Sequence, residues 1–280
     1  MRATHAMRKM LVCLFGAGLP ASCAAEPPAG PPDQGGGQVS NAEPVRPATP
    51  QDDEGDDDED TLQFGEAKIL VEHNASAEDT GFQGFVDGEP WNRLDITAPD
   101  GASILSVRSV GRLRALGLTE LFFETQEPAN AEVPIEELLA RMPEGTYEFE
   151  GRSIDGQDVE GEATLTHTIP AGPEIVSPAE GAVIDAGTAV IDWNAVTETV
   201  TGSPDLELAG YELIIEEDVE DTPLPGFAKV NLDIHVPPDV TSLTVPPEFL
   251  RPGTAYKFEV LALEAGGNQT ITEGTFETAE

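Results

Sequence analysis

The sequence predicts an all-β protein of two tandem sandwich modules behind an unstructured, acidic N-terminal spacer. Three observations predict it. Beyond the first sixty or so residues, apolar side chains alternate with polar ones in short runs, the period of a half-buried strand rather than of a helix. The chain carries 24 prolines and 28 glycines, and most of them punctuate those runs. Cys13 and Cys23, the only cysteines, both lie in the first 25 residues, so neither a disulfide framework nor a thiolate site can support the rest. Packing alone must hold the modules together.

The chain opens with an export address. Arg8-Lys9 precede the apolar run Met10–Leu19, which is far short of the ~20 residues a membrane-spanning helix needs. Small residues follow, Ala21-Ser22-Cys23-Ala24-Ala25, so residues 1–25 read as a signal peptide. Two processing routes fit. Leu19-Pro20-Ala21-Ser22 ahead of Cys23 resembles a bacterial lipoprotein signal, which implies a diacylglycerol on the Cys23 thiol and a lipid anchor at the outer membrane or cell surface. Pro20 departs from that pattern, where leucine is usual. The other route is cleavage after Ala24 or Ala25, which releases a secreted or periplasmic protein.

Residues 26–61 read as a disordered linker. Up to Asp60 they carry eleven acids and one base, runs of proline and glycine, and no aromatic residue, so they cannot bury enough surface to offset chain entropy. The run Asp52–Asp60 is not an EF-hand loop, because no register places glycine sixth and glutamate twelfth.

The first module, residues 62–172, is predicted to hold strands at Glu66–Glu72, Gly81–Val86, Asn92–Thr97, Ser103–Arg108, Thr119–Glu124 and Ala163–His167. Pro134–Met142 is the one helical pattern, opened by proline and acids and stopped by Pro143. Gly88-Glu89-Pro90 reads as a turn that leaves Trp91 exposed. Pro143-Glu-Gly-Thr-Tyr147-Glu-Phe149 reads as a corner leading into a strand. The module is immunoglobulin-like in the broad sense, with no family firmly matched.

The second module, residues 173–280, is predicted to hold strands at Ala189–Trp193, Tyr211–Ile215, Thr241–Val245, Tyr256–Ala262 and Ile271–Thr278. Leu250-Arg-Pro-Gly-Thr-Ala-Tyr256-Lys-Phe258 resembles the penultimate strand of a fibronectin type III domain. Trp193 and Tyr211 match that family's buried tryptophan and the tyrosine opening its third strand, and Asn268-Gln-Thr270 falls at its last hairpin. The resemblance implies a seven-stranded binding or spacer module and names no ligand. Two long connections depart from the family, at Val196–Leu206 and at Asp218–Gly226.

Fourteen basic residues against 53 acidic ones give a net charge of −39, which repels a phosphate backbone and argues against nucleic acid as a partner. No His-Glu-x-x-His zinc pair, Gly-x-Ser-x-Gly elbow or phosphate-binding glycine loop occurs, and His167 reads as a partly exposed strand residue. The sequence therefore implies no cofactor and no catalysis. It implies a tethered module that works by protein–protein contact. Two alternatives remain open. One is sugar binding at Trp91. The other is calcium-stabilised adhesion through Glu78-Asp79, Asp87-Gly-Glu89 or Glu216-Glu-Asp218.

Overall fold

The computed structural model describes residues 61–219 and 230–280, so the leader, Cys23 and the acidic run lie outside the described residues. The first half runs β1 (Leu62–Gln63), β2 (Glu66–Asn74), β3 (Asp79–Thr97), β4 (Ser103–Arg108), α1 (Leu113–Leu116), β5 (Leu118–Glu124), α2 (Ile135–Leu139), β6 (Gly145–Ser153) and β7 (Asp158–Leu165). Its organising element is β3. The two strands expected at Gly81–Val86 and Asn92–Thr97 are one strand of 19 residues. Its first part pairs with β2 and β5, and its second part with β4 and β6.

Between those parts the register shifts at Asp87/Trp91 against β5 and at Trp91/Arg93 against β6. Gly88-Glu89-Pro90 is therefore a bulge inside a strand and not a turn. Such irregularities let one strand pass from one sheet to another. The correction reaches Trp91, which points into the core with no exposure. It packs in one cluster with Val71, Leu94, Ile96, Tyr147 and Phe149. Gly84 has no side chain because the ring of its cross-strand partner Phe123 occupies the place where a Cβ would sit.

The helical pattern at Pro134–Met142 becomes α2, with Pro134 at its N-cap. His167 falls past the end of β7 and is not a strand residue. Its backbone N–H donates to Glu144 Oε1 at 2.7 Å, and its ring Nε2 lies 2.8 Å from the Met142 carbonyl. This ties the strand exit to the turn before β6. Tyr147 makes the expected corner, its hydroxyl donating to the Pro143 carbonyl at 3.0 Å. Burial, with the nearby Asp100 carboxylate, pushes that phenol up to about 12.

The second half runs β8 (Ile175–Ser177), β9 (Ala182–Ile184), β10 (Val190–Trp193), β11 (Leu208–Glu217), β12 (Asn231–Val236), β13 (Ser242–Thr244), β14 (Ala255–Glu264) and β15 (Gln269–Thr278). Strands β8, β10 and β13 form a three-stranded sheet, while β15, β14, β11 and β12 are neighbours in the larger one. The two sheets enclose a core that includes Ile191, Trp193, Tyr211, Leu213, Tyr256, Phe258 and Val260. This is a fibronectin type III-like sandwich. Its corner closes as the resemblance implies, with the Arg251 backbone N–H donating to Tyr256 Oη at 2.8 Å above buried Leu250. Trp193 meets Tyr211 edge to face at 5.4 Å, and the Val196 N–H donates to the Tyr211 hydroxyl at 2.8 Å.

The halves are joined through their sheets. The start of β15 pairs in parallel with the end of β2, aligning Gln269 with Glu72, Thr270 with His73 and Ile271 with Asn74. Asn268 sits at the centre of this seam and is almost fully buried. Its Oδ1 accepts from the Val71 N–H at 2.8 Å. Its Nδ2 lies 3.0 Å from each of the Thr166 and Thr168 carbonyls and 2.9 Å from the Thr166 hydroxyl. Thr270 donates to the Pro170 carbonyl at 2.5 Å, Asn74 donates to Glu273 at 2.9 Å, and Gln269 donates to Glu72. The residues linking the halves are thus stitched to both by bonds whose loss would strand buried polar groups.

Candidate functional site

Three surfaces were candidates from the residues upward. The calcium-type acids come first. Asp79 and Asp87 lie within β3, and Glu78 holds a positive φ of 55° in the turn before it. At the end of β11, Glu217 pairs with Arg251 at 3.0 Å, while Lys257 lies 3.9 Å from Glu216 and 3.6 Å from Asp218. Those acids already face cations of the same chain. The buried Asn74 side chain beside them is equally engaged, accepting from the Ser76 and Ala77 N–H groups.

The second candidate is a carboxylate–imidazole group on the outer face of β11 and β12. Cross-strand pairing puts His235 opposite Glu212 and Asp233 opposite Ile214. The imidazole Nε2 lies 3.7 Å from Glu212 and 3.9 Å from Asp233. Burial, the adjoining Asp233 carboxylate and Glu259 together push the Glu212 carboxyl up to about 8. These three residues bring donor atoms within 4.8 Å of one another, and so do Glu72, Glu124 and Glu127. The first set mixes imidazole and carboxylate, the donor types of a divalent transition metal rather than of calcium.

The third candidate is the connection from β4 to β5, Ser109–Gly117, which the sequence reading passed over. Its base is fixed. The Ser109 N–H donates to the Asn92 carbonyl at 2.9 Å and the Gly117 N–H to the Leu113 carbonyl at 2.8 Å. Gly117 holds φ +76° and sits so close to Pro90 that a side chain there would collide with it. From this base residues 110–116 project, every one of them exposed. Val110, Leu113 and Leu116 are 75%, 50% and 70% exposed, and α1 buries none of its residues.

Its charge is as unusual as its apolarity. Among the described cations, Lys68, Arg93, Arg141, Arg152, Arg251 and Lys257 each contact a carboxylate. Arg112 and Arg114, within this loop, have no ion pair among the described residues, and Arg108, at the end of β4, makes none of its own although its charge acts on Asp95. In a chain with 53 acids, that makes the loop a cationic and apolar tip on an acidic body. The signal was present in the sequence as Val110-Gly-Arg-Leu-Arg-Ala-Leu116. Periodicity searches for buried faces, and this segment has none.

No family model matches the chain, and no curated protein matches it. Among solved structures, the chain is similar to the FN1–FN3 domains of chicken CNTN1, with 12% identity and a TM-score of 0.28 over 79% of this chain and 68% of that one. It is similar to a tetra-tandem repeat from the extending region of a large adhesion protein, with 15% identity and a TM-score of 0.26, over 76% of this chain and 49% of that one. It is also similar to the BSP domain of a biofilm-associated protein, with 15% identity and a TM-score of 0.23, over 78% of this chain and 30% of that one.

Proposed function

We propose that this chain is a non-catalytic contact protein, tethered to a bacterial envelope or cell surface through Cys23. In this reading residues 1–25 are the export signal and 26–61 the spacer, with sandwiches at 62–172 and 173–280. The observation that carries it is the seam around Asn268. A protein that holds a contact at a distance from its anchor needs a stiff body. Here the sheets of both halves are continuous, and the linker is bonded to each. Two shallow hollows of about 340 and 270 Å3 share Glu180, Glu273 and Gly274. Glu180 is already committed there, accepting from the Thr275 N–H at 3.0 Å and from its hydroxyl. Sugar binding through Trp91 loses its support, because a ring with no exposure offers no platform.

Lipid labelling of the expressed full chain, read beside Cys23→Ala and followed by membrane fractionation, tests the tether. The expected outcome is label and membrane association in the native chain and neither in the variant. Equal labelling of the two, or no label on either, would sink the anchored reading and leave the secreted one.

A further inference from the structure

We infer that the Ser109–Gly117 loop docks an acidic protein segment carrying apolar side chains. The inference deepens the contact role proposed above by naming its partner chemistry. Three facts meet at this loop. It holds Arg112 and Arg114, two described cations with no ion pair, and they alternate with the exposed Val110, Leu113 and Leu116. Its base is clamped while its tip is free, so the side chains are presented without first having to fold. Elsewhere among the described residues Lys68, Arg93, Arg141, Arg152, Arg251 and Lys257 already face carboxylates of this chain, so they are less available to an anionic partner.

Guanidinium groups favour carboxylates in paired, planar geometry, which selects an acidic surface. The apolar side chains add a requirement that a purely acidic partner would not meet. An anionic membrane could in principle satisfy both. The surroundings favour a slender partner instead. Glu89 precedes the Pro90 that packs on Gly117, and Asp155 follows the Ile154 whose N–H donates to the Pro90 carbonyl at 3.0 Å. Both acids are exposed beside the base of the loop. A flat anionic surface pressed onto the tip would approach them, whereas a narrow segment meets the tip alone. Like charges brought together in this way weaken association and set its specificity.

The test uses the chain from residue 24 onward, which lacks the lipid, and fluorescent peptides of equal length built from Glu and Leu, from Glu and Ser, or from Lys and Leu. Vesicles containing phosphatidylglycerol form a fourth arm. Anisotropy is expected to show the Glu/Leu peptide binding about tenfold or more tightly than the other two, with affinity falling as salt rises. Arg112→Glu with Arg114→Glu, and separately Leu113→Ser with Leu116→Ser, are each expected to weaken it about tenfold or more while leaving the melting temperature within about 2 °C, because all four residues are exposed and outside the core. Binding that ignores the loop variants, or no preference for the Glu/Leu peptide, overturns the inference. So does stronger binding to the vesicles, lost in the same variants, which would reassign the loop to a membrane. None of these outcomes bears on lipid labelling of Cys23, so the tether and the loop fail separately.

Discussion

The two halves of this molecule solve the same local problems with the same devices and then connect them differently. Each buries one tryptophan, Trp91 or Trp193, with an indole N–H that has no hydrogen-bond partner. Each lays a phenylalanine ring over a cross-strand glycine, Phe123 over Gly84 and Phe258 over Gly274. Each turns a corner on a tyrosine. Yet in the second half three strands form a sheet of their own facing the larger one, while the first is strung along one strand whose two parts pair with different partners. Short-range chemistry sets the corners and the aromatic plugs. Long-range pairing sets the topology, and the seam at Asn268 couples the results.

The sharpest way to break this comparison is to remove a plug from each half. Trp91→Ala and Trp193→Ala are each expected to destabilise by about 3–5 kcal/mol, because each empties a fully enclosed site. If the seam makes one cooperative body, calorimetry will show a single transition moving down in both variants. Separate transitions, each responding to its own variant, would mean that the halves fold independently.

The seam itself ranks next. Asn268→Ala removes the acceptor of the buried Val71 N–H and the donor shared by the Thr166 and Thr168 carbonyls. The expected loss is about 2–3 kcal/mol, the range for stranding buried polar groups, with the calorimetric transition broadening or splitting. A loss under about 0.5 kcal/mol, with the transition unchanged, would show that the parallel ladder alone couples the halves.

The corners sharpen the comparison further, because they run in opposite senses. Tyr256 accepts from a backbone N–H, whereas Tyr147 donates to a backbone carbonyl. A stranded N–H has no second option, while a carbonyl keeps a second lone pair for water or another donor. Tyr256→Phe is therefore expected to destabilise by about 1–2 kcal/mol and Tyr147→Phe by about half that. Equal losses in denaturant melts would remove the distinction.

Most of this was legible in the sequence wherever one strand faced one core. Alternation placed β2, β4, β5, β11 and β14, and the corner motif placed Tyr147 and Tyr256. Glycine and proline at 88 and 90 were misread, because a bulge and a turn use the same residues and only the partners β5 and β6 distinguish them. That error carried Trp91 from the core to the surface. The strands β1, β8 and β9, of two or three residues, are too short to show alternation, whereas β12 does alternate, at Leu232, Ile234 and Val236, and was legible but passed over. The candidate contact surface stayed hidden for the opposite reason. Its apolar residues are a signal of exposure, which no core-seeking pattern reports.

The smallest effect is expected on the open face of the second half, where Glu212 meets Asp233 and His235. Its folded carboxyl titrates near 8, well above the ordinary value of 4.5. A carboxyl raised on folding favours the protonated native state. Stability from this group is therefore complete below the unfolded value and is lost as pH climbs from about 4.5 through 8. Glu212→Gln keeps the shape and removes the charge. In EDTA-containing buffer it is expected to match the parent near pH 5 and to exceed it by about 1 kcal/mol at pH 9, flattening the slope between. His73 works in the other direction in the first half. Burial lowers its imidazole below 6.5, so its contribution is present above that value and is lost as pH falls beneath it. If Glu212→Gln leaves the upper limb of the pH–stability curve unchanged, the strain on that face is relieved by something other than a proton.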